Sequence, residues 1–222
     1  MTNSFKKYHP DIPLYIYRQD KVDEIMKGGL NFYNSKPTFA KLLVDKYDLV
    51  VNIDADTIVT HRLDPVLEGK YEVGAVTNFN QYENASFDNI TERMYLQAGL
   101  VASRSREFWG EWEELNKDAM RYVRQENDVL NKVVYGDGTK PKYKLKIFDE
   151  DKGYMGCKSL NLEGRMYVDG DKIMLDNEIV YAYHHAKGAD FPKLRFDRMG
   201  FTQEVADKLY EIGWKGVSVK IV

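Results

Sequence analysis

The chain has 222 residues, of which 43% are hydrophobic and 13% aromatic, which is enough for one domain spanning 1–222 with its own core. Its 32 basic and 35 acidic side chains nearly cancel, at a net charge of -3, which excludes the electrostatic footprint of a nucleic-acid-binding protein. No apolar run reaches the roughly 20 residues that span a bilayer. The first ten residues are too polar for a secretory signal, and the single cysteine favours a reducing compartment. We therefore expect a cytoplasmic protein without a transmembrane segment.

Apolar patterns predict strands that alternate with helices in the first half of the chain. The predicted strands are 14–17, 49–53, 71–77 and 95–103, and the predicted helices are 39–46, 105–117 and 126–134. Shorter strand-like pieces follow at 144–148, 165–168 and 179–184, then a helix from 202 to 213. Turn signals stand at Asp169-Gly170 and Asp176-Asn177. This order predicts an α/β fold with a mostly parallel central sheet flanked by helices, followed by an α+β C-terminal part. Trp109 and Trp112 are expected in the core.

The sequence Asp54-Ala55-Asp56 follows segment 49–53, whose β-branched residues predict a buried parallel strand. Side chains at i and i+2 of a strand point to the same side, so the two carboxylates can converge past the small Ala55. Open α/β sheets bind ligands at the carboxyl ends of their strands, and paired carboxylates suit Mg²⁺ or Mn²⁺. The motif therefore predicts a divalent metal site for a phosphate ligand. The alternative is a solvated turn, where Asp-x-Asp also occurs.

Segment 47–59, which contains this motif, resembles the aspartate-motif segment of GT-A-fold glycosyltransferases. The likeness is strongest to the retaining enzymes of glycosyltransferase family eight, which include glycogenin-like proteins. Other segments resemble family motifs in the same order, and these are 35–43, 63–67, 95–101, 126–131 and 185–188. Together they cover roughly 36–193 and imply a Rossmann-like nucleotide-diphospho-sugar transferase fold. The small chain also resembles glycosyltransferase domains encoded by large algal viruses, which would place it in a host cytoplasm.

The resemblance implies a role for each matching residue. The metal ligands that it implies are Asp54, Asp56 and His185, with His184 as an alternative histidine. The donor contacts that it implies are Lys41, Asp54, Ala55, Asp56, Ala98, Lys187 and Lys193. Lys187 and Lys193 compete for the diphosphate. The residues that it places at the reacting centre are Gln97, Glu126 and Asn127.

The activity that the resemblance implies is retaining transfer of a hexose from a nucleotide-diphosphate sugar. The expected donor is a UDP-sugar such as UDP-glucose, and the expected acceptor is a hydroxyl of a glycan, a glycoprotein or another molecule. The bound metal would stabilise the leaving diphosphate. A double displacement would need a carboxylate nucleophile, for which Glu126 comes first and Asp128 a distant second. A front-face route needs none and is favoured. Relatives usually begin with a strand and loop that contact the nucleobase, and we expect that strand to be absent, shortened or replaced here.

Two other readings remain open. Asp54-Ala55-Asp56-Thr57 also fits a phosphohydrolase of the haloacid dehalogenase type, with Asp54 as the nucleophile and Asp56 as the acid/base. That motif normally stands near the N-terminus, whereas more than fifty residues precede it here. The third reading is a catalytically silent scaffold that binds a nucleotide-sugar or a glycan. The intact aspartate pair argues against it.

Overall fold

The computed structural model describes residues 2–26, 35–77, 89–148, 154–155, 164–184 and 202–214. Its helices are α1 (Thr2–Tyr8), α2 (Gln19–Met26), α3 (Lys36–Lys41), α4 (Asp64–Leu67), α5 (Arg106–Asn116), α6 (Glu126–Tyr135) and α7 (Gln203–Trp214). Its strands are β1 (Val50–Ile53), β2 (Thr57–Val59), β3 (Val73–Thr77), β4 (Leu96–Ser103), β5 (Leu145–Ile147), β6 (Tyr154–Met155), β7 (Met166–Asp169), β8 (Lys172–Leu175), β9 (Glu178–Ile179) and β10 (Ala182–His184). Within these ranges, no helix combines the length and the apolar character needed to cross a membrane.

The chain divides into two compact units, each assembled from separate stretches of sequence. Unit 1 comprises Met1–Leu14, Asp54–Pro65 and Phe148–Val222, and unit 2 comprises Tyr15–Ile53 and Val66–Ile147. The division passes between Ile53 and Asp54, so the strand β1 belongs to unit 2 and the Asp-Ala-Asp motif belongs to unit 1. A single domain over 1–222 stays a prediction.

Unit 2 is built on a four-stranded mixed sheet in the order β1-β4-β3-β5. Strand β4 runs antiparallel to β1 and β3, while β5 runs parallel to β3, so β1, β3 and β5 all point the same way. Strand β4 opposes these three, so two of the three neighbouring strand pairs are antiparallel and the sheet is mixed. The prediction of a buried parallel strand at 49–53 is wrong in its pairing. Among the described strands, β1 is at the edge of the sheet, pairs antiparallel with β4 and fully buries only Val50.

The core of unit 2 is dominated by aromatic side chains of helix α5. The helix begins after Ser105, whose hydroxyl accepts a hydrogen bond from the Phe108 amide at 3.1 Å and caps the first turn. Phe108, Trp109 and Trp112 have no exposed surface and pack with residues of β3, β4 and α6. The prediction that both tryptophans lie in the core is confirmed.

Unit 1 contains two three-stranded sheets, β2-β10-β6 and β7-β8-β9. Helices α1 and α7 pack against β2. Ile58 of β2 lies in an apolar cluster with Leu209 and Ile212 of α7. All three residues of β2 are buried, which explains how so short a strand keeps a fixed position. Asp176 and Asn177 adopt φ values of 48° and 70° between β8 and β9, as the turn prediction requires.

Three predicted elements differ from the structure. Segment 179–184, predicted as one strand, forms two strands, β9 and β10, in different sheets. Segment 14–17, predicted as a strand, is not part of a described strand ladder. The helix predicted at 39–46 begins earlier, at Lys36, and ends at Lys41, after which the chain continues in turns to residue 46. Pro37 explains the early start. The N–H groups of the first helical turn have no hydrogen-bond partner within the helix, so proline, which has no N–H group, loses no bond there.

Candidate functional site

The Asp54-Ala55-Asp56 motif forms a turn between β1 and β2. The Thr57 amide donates to the Asp54 carbonyl at 3.0 Å and closes this turn. The two aspartates therefore converge through a turn and not through strand alternation, which corrects the reason given by the sequence pattern. Ala55 lies exposed at the tip of the turn.

A histidine joins the two aspartates because of the strand register. Strand β10 pairs antiparallel with β2, and this pairing sets His184 opposite Thr57, the residue after Asp56. His184 Nε2 lies 3.0 Å from Asp56 Oδ1 and 3.5 Å from Asp54 Oδ2. The histidine is buried, whereas the two aspartate side chains are 23% and 31% exposed. His185 lies outside the described residues.

The three side chains fit a divalent cation. One ligand atom from each of Asp54, Asp56 and His184 lies within 4.8 Å of the others. A cation bound at about 2.1 Å separates adjacent ligands by about 3 Å and opposite ligands by about 4.2 Å. The observed separations of 3.0 and 3.5 Å from Nε2 to the carboxylates suit adjacent positions. Two carboxylates and an imidazole form a ligand set suited to Mn²⁺ or another first-row divalent ion, with further positions left for water or phosphate oxygens.

Helix α1 holds the segment that follows the motif. The Val59 amide donates to Ser4 Oγ at 3.0 Å, and the Leu63 amide donates to His9 Nε2 at 3.0 Å. Ser4 and His9 are both fully buried. Burial and then the Arg62 guanidinium lower the pKa of His9, so the ring stays neutral and keeps the lone pair that accepts from Leu63. Strand β2, which follows the motif, is therefore anchored by α1. Helix α1 is not among the elements predicted from the sequence.

A second polar group forms in unit 2, where β4 departs from a regular ladder. The register with β3 jumps from Ala75↔Val101 to Val76↔Gln97, so residues 98–100 of β4 have no partner on β3. Strand β1 covers only residues 100–103 on the other side. Such bulges re-aim side chains and are frequent beside active sites.

Side chains satisfy the backbone of Ala98 where the ladders do not. The Ala98 amide donates to Asn127 Oδ1 at 2.9 Å. The Ala98 carbonyl accepts from Lys36 Nζ at 3.3 Å and from Asn52 Nδ2 at 3.4 Å. Gln97, the neighbouring residue, is only 8% exposed. The structure thus brings together Ala98 and Asn127, two residues that the family resemblance assigned to the donor sugar.

The first turns of α6 are joined to β4 by buried side chains. Asn131 Oδ1 accepts from the Leu96 amide at 2.8 Å, and Asn131 Nδ2 donates to the Leu96 carbonyl at 2.9 Å. Asp128 accepts from the Tyr95 hydroxyl at 2.8 Å and from the Arg124 amide at 2.9 Å. Burial and the Asp128 carboxylate raise the pKa of Tyr95, which keeps this hydroxyl protonated as a donor. Asp128 has no exposed surface, so its geometry favours a structural role over that of a nucleophile.

The two lysines of α3 have different surroundings. Lys36 Nζ forms an ion pair with Glu126 Oε1 at 2.9 Å, and these side chains are only 12% and 15% exposed. Lys41 Nζ pairs with Glu113 of α5 at 2.5 Å and is 43% exposed. Lys36, and not the predicted Lys41, therefore lies beside Glu126. Lys36 is not among the site residues predicted from the sequence.

Two residues of this group, Lys36 and Asn52, were missed from the sequence. Pro37 is a signal that the helix starts at Lys36, and Asn52 is a polar residue inside an otherwise apolar strand. Neither signal indicates a contact with Ala98, which depends on the tertiary fold. The expected ligands or donor contacts His185, Lys187 and Lys193 lie outside the described residues.

No protein family model matches this sequence, and no curated protein matches it. The structure is similar to that of an active-site mutant of LgtC, with a TM-score of 0.51 and 15% identity over 99% of this chain and 91% of that chain. It is similar to galactosyltransferase LgtC in complex with donor and acceptor sugar analogues, with a TM-score of 0.50, 13% identity and the same coverage. The apo WbbM bifunctional glycosyltransferase gives a TM-score of 0.48 at 16% identity over 83% of this chain, which spans only 35% of that chain. The LgtC structures have the GT-A fold, so the predicted α/β GT-A fold is confirmed.

Proposed function

We propose that this chain is a metal-dependent glycosyltransferase that moves a hexose from a nucleotide-diphosphate sugar to a hydroxyl of a glycan or another acceptor. The observation that carries the proposal is the convergence of Asp54, Asp56 and His184 in a chain with the GT-A fold. LgtC was crystallised with donor and acceptor sugar analogues, and we propose the same two classes of ligand here. UDP-glucose is the first donor to test.

Asp54, Asp56 and His184 would hold Mn²⁺ or Mg²⁺ in this proposal. The bound cation neutralises negative charge on a leaving diphosphate. His184 would supply Nε2 as a ligand atom, and its burial fixes the ring beside the carboxylates. His185 remains an alternative ligand, and Lys187 and Lys193 remain candidates for contact with the diphosphate.

Gln97, Ala98, Glu126 and Asn127 are assigned to the donor sugar by the family resemblance of segments 95–101 and 126–131. The ion pair with Lys36 supports the front-face route, because a carboxylate bonded to an ammonium group is a poorer nucleophile. Glu126 would then accept a hydrogen bond from a sugar hydroxyl. Retention at the anomeric carbon is part of this proposal, and so is a donor contact by Lys41.

The phosphohydrolase reading fits the geometry less well. It predicts a buried strand leading to a nucleophilic Asp54, whereas β1 lies at the sheet edge with residues 51–53 only partly buried. It also gives no role to His184, which lies 3.0 Å from Asp56. The scaffold reading keeps the metal site and differs only in turnover.

A panel of nucleotide-sugars tests the proposal. A donor at a hundred times its Kd should raise the melting temperature by about 5 to 10 °C in the presence of Mn²⁺. The same donor should release its nucleoside diphosphate in a Mn²⁺-dependent assay with water or added sugars as acceptors. Stabilisation without turnover would favour the scaffold. Hydrolysis of p-nitrophenyl phosphate with no response to any nucleotide-sugar would contradict the proposal.

A further inference from the structure

Gln125, the residue before helix α6, has a backbone conformation that normally requires glycine. Its φ is 43° and its ψ is -117°. The Asn127 amide donates to the Arg124 carbonyl at 3.0 Å, which closes a four-residue turn with Gln125 at its first central position. These angles are those of a type II′ turn, in which glycine is the usual residue at that position. A side chain there costs about 1 to 3 kcal/mol of backbone strain.

Hydrogen bonds on both sides fix this strained residue. The Gln125 amide donates to the Tyr122 carbonyl at 3.2 Å, and the Gln125 carbonyl accepts from the Val129 amide at 3.0 Å. The buried Asp128 carboxylate accepts from the Arg124 amide at 2.9 Å. All of these bonds involve the main chain of residue 125 or its neighbours, so glycine at this position would keep them without strain. The structure of the turn alone gives no reason for glutamine.

The side chain of Gln125 is partly exposed and stands next in sequence to Glu126 and Asn127. Among the residues that the structure describes, its carboxamide has no hydrogen-bond partner. Strained residues cluster where a ligand is bound, because a functional side chain is then retained at the expense of stability. A carboxamide both donates and accepts, which matches the bonding capacity of a sugar hydroxyl.

We propose that Gln125 is a specificity-determining residue whose carboxamide hydrogen-bonds a hydroxyl of the donor's sugar. The inference rests on the proposed function, since it assumes a nucleotide-sugar donor. It assigns the strained turn before α6 to substrate recognition. By contrast, Asp128 and Asn131 of α6 attach the helix to Tyr95 and Leu96 at the start of β4.

Gln125→Gly and Gln125→Ala separate the backbone from the side chain. Gln125→Gly relieves the strain and removes the carboxamide, so the melting temperature should rise by about 2 to 5 °C. Gln125→Ala removes the carboxamide but keeps the strain, so no rise is expected. In both variants the Kd for UDP-glucose with Mn²⁺, measured by titration calorimetry, should rise about tenfold, the effect of one lost hydrogen bond. The Kd for UDP should stay unchanged, because UDP lacks the hexose whose hydroxyl the carboxamide would bind.

Asn177→Gly is the matched control. Asn177 also has positive φ, at 70°, but it lies in the turn between β8 and β9 of unit 1. This variant should bind UDP-glucose like the unchanged protein. Gln125→Gly with a raised melting temperature and unchanged UDP-glucose affinity would overturn the inference, as would an equal loss of affinity for UDP. A melting temperature that does not rise would contradict the strain. If the unchanged protein binds no nucleotide-sugar at all, the proposed function itself fails and the inference falls with it.

Discussion

The Asp54-Asp56-His184 group of unit 1 and the Ala98 group of unit 2 differ in how their polar atoms are satisfied. In unit 1, Asp54 and Asp56 direct oxygens at one imidazole nitrogen, so two carboxylates share a single nitrogen of His184. In unit 2, the Ala98 amide and carbonyl both have partners inside the chain, and Glu126 is paired with an ammonium group. The first group gains from an added cation, whereas the second is assembled from internal bonds.

Because of this difference, substitutions in the first group should affect ligand binding, and substitutions in the second should affect the stability of the fold. Removing a carboxylate of unit 1 should abolish metal binding and leave folding almost unchanged, because the carboxylates are partly exposed and repel each other. Removing a side chain of the unit 2 group should first lower stability, because buried polar partners are then left without hydrogen bonds. Each of the following predictions can break this separation or sharpen it.

Asp56→Asn should have the largest effect. The substitution keeps the shape of the side chain but removes one of two charges that would hold the cation, so Mn²⁺-dependent donor turnover should fall by about a thousandfold. The free energy of unfolding without metal should change by less than about 1 kcal/mol. Turnover is measured as release of nucleoside diphosphate, and stability by urea denaturation. Asp64→Asn in the same unit is the control, since this exposed aspartate pairs with Arg62 and should tolerate the change. A large loss of stability in Asp56→Asn would break the comparison.

Asn131→Leu should lower the free energy of unfolding by about 2 to 3 kcal/mol, because it leaves the buried amide and carbonyl of Leu96 without partners. Asn89→Leu is the control, since its amide also donates to a carbonyl, that of Gly138, but at an exposed position. That variant should lose less than about 1 kcal/mol. Urea denaturation measures both changes. Equal losses would show that the bonds to β4 are not the source of stability in unit 2.

Lys36→Met should cost about 2 kcal/mol, because it leaves Glu126 with a partly buried charge and removes a donor to Ala98. Adding Glu126→Gln to this variant should recover part of the loss, since the partly buried carboxylate charge is then gone. Lys41→Met, at the other end of α3, should cost less than about 1 kcal/mol because its ion pair is more exposed. The same denaturation series compares how much Lys41, named from the sequence, and Lys36, found beside Glu126, contribute to the free energy of unfolding.

The Asp54-Asp56-His184 group could be located from the sequence better than the Ala98 group, because the first depends largely on a local motif. An apolar strand followed by Asp-Ala-Asp can be read within ten residues. The choice between His184 and His185 cannot be read from so short a segment, because it depends on the register of β10 against β2. A slip of one residue would turn the other face of the strand inward. The structure buries Tyr183 in the core and places His184 beside the aspartates.

The Ala98 group was only partly predictable for a different reason. Strand β4 and helix α6 were found at nearly their observed bounds, and Ala98, Glu126 and Asn127 were named from the family resemblance. The interruption of the ladder between β3 and β4 after Ala75 could not be predicted, because a bulge depends on which strands become neighbours. The apolar periodicity of this segment begins only at Phe39, three residues after the helix begins, so it does not indicate Lys36.

His9 gives the smallest predicted effect and the only one that depends on pH. Burial and Arg62 lower its pKa, against the opposing carboxylates of Asp64 and Asp11, so the native state prefers the neutral ring. The unfolded chain takes up a proton near its ordinary pKa of about 6.5, before the native state does. The unfolded state therefore binds more protons as the pH falls, and the stabilisation is complete above about pH 6.5 and is lost as the pH falls toward the native pKa.

Protonation of the ring also removes the hydrogen bond from the Leu63 amide, because protonated Nε2 cannot accept it. Urea denaturation between pH 5 and 7.5 measures the loss of stability. His9→Gln keeps an acceptor for Leu63 but does not titrate, so its stability should depend less on pH than that of the unchanged protein. His61→Gln, in the same unit, controls for loss of any imidazole. A pH dependence unaltered in His9→Gln would show that the neutral ring does not anchor the segment after Asp56, which would then be held to α1 by the bond from Val59 to Ser4.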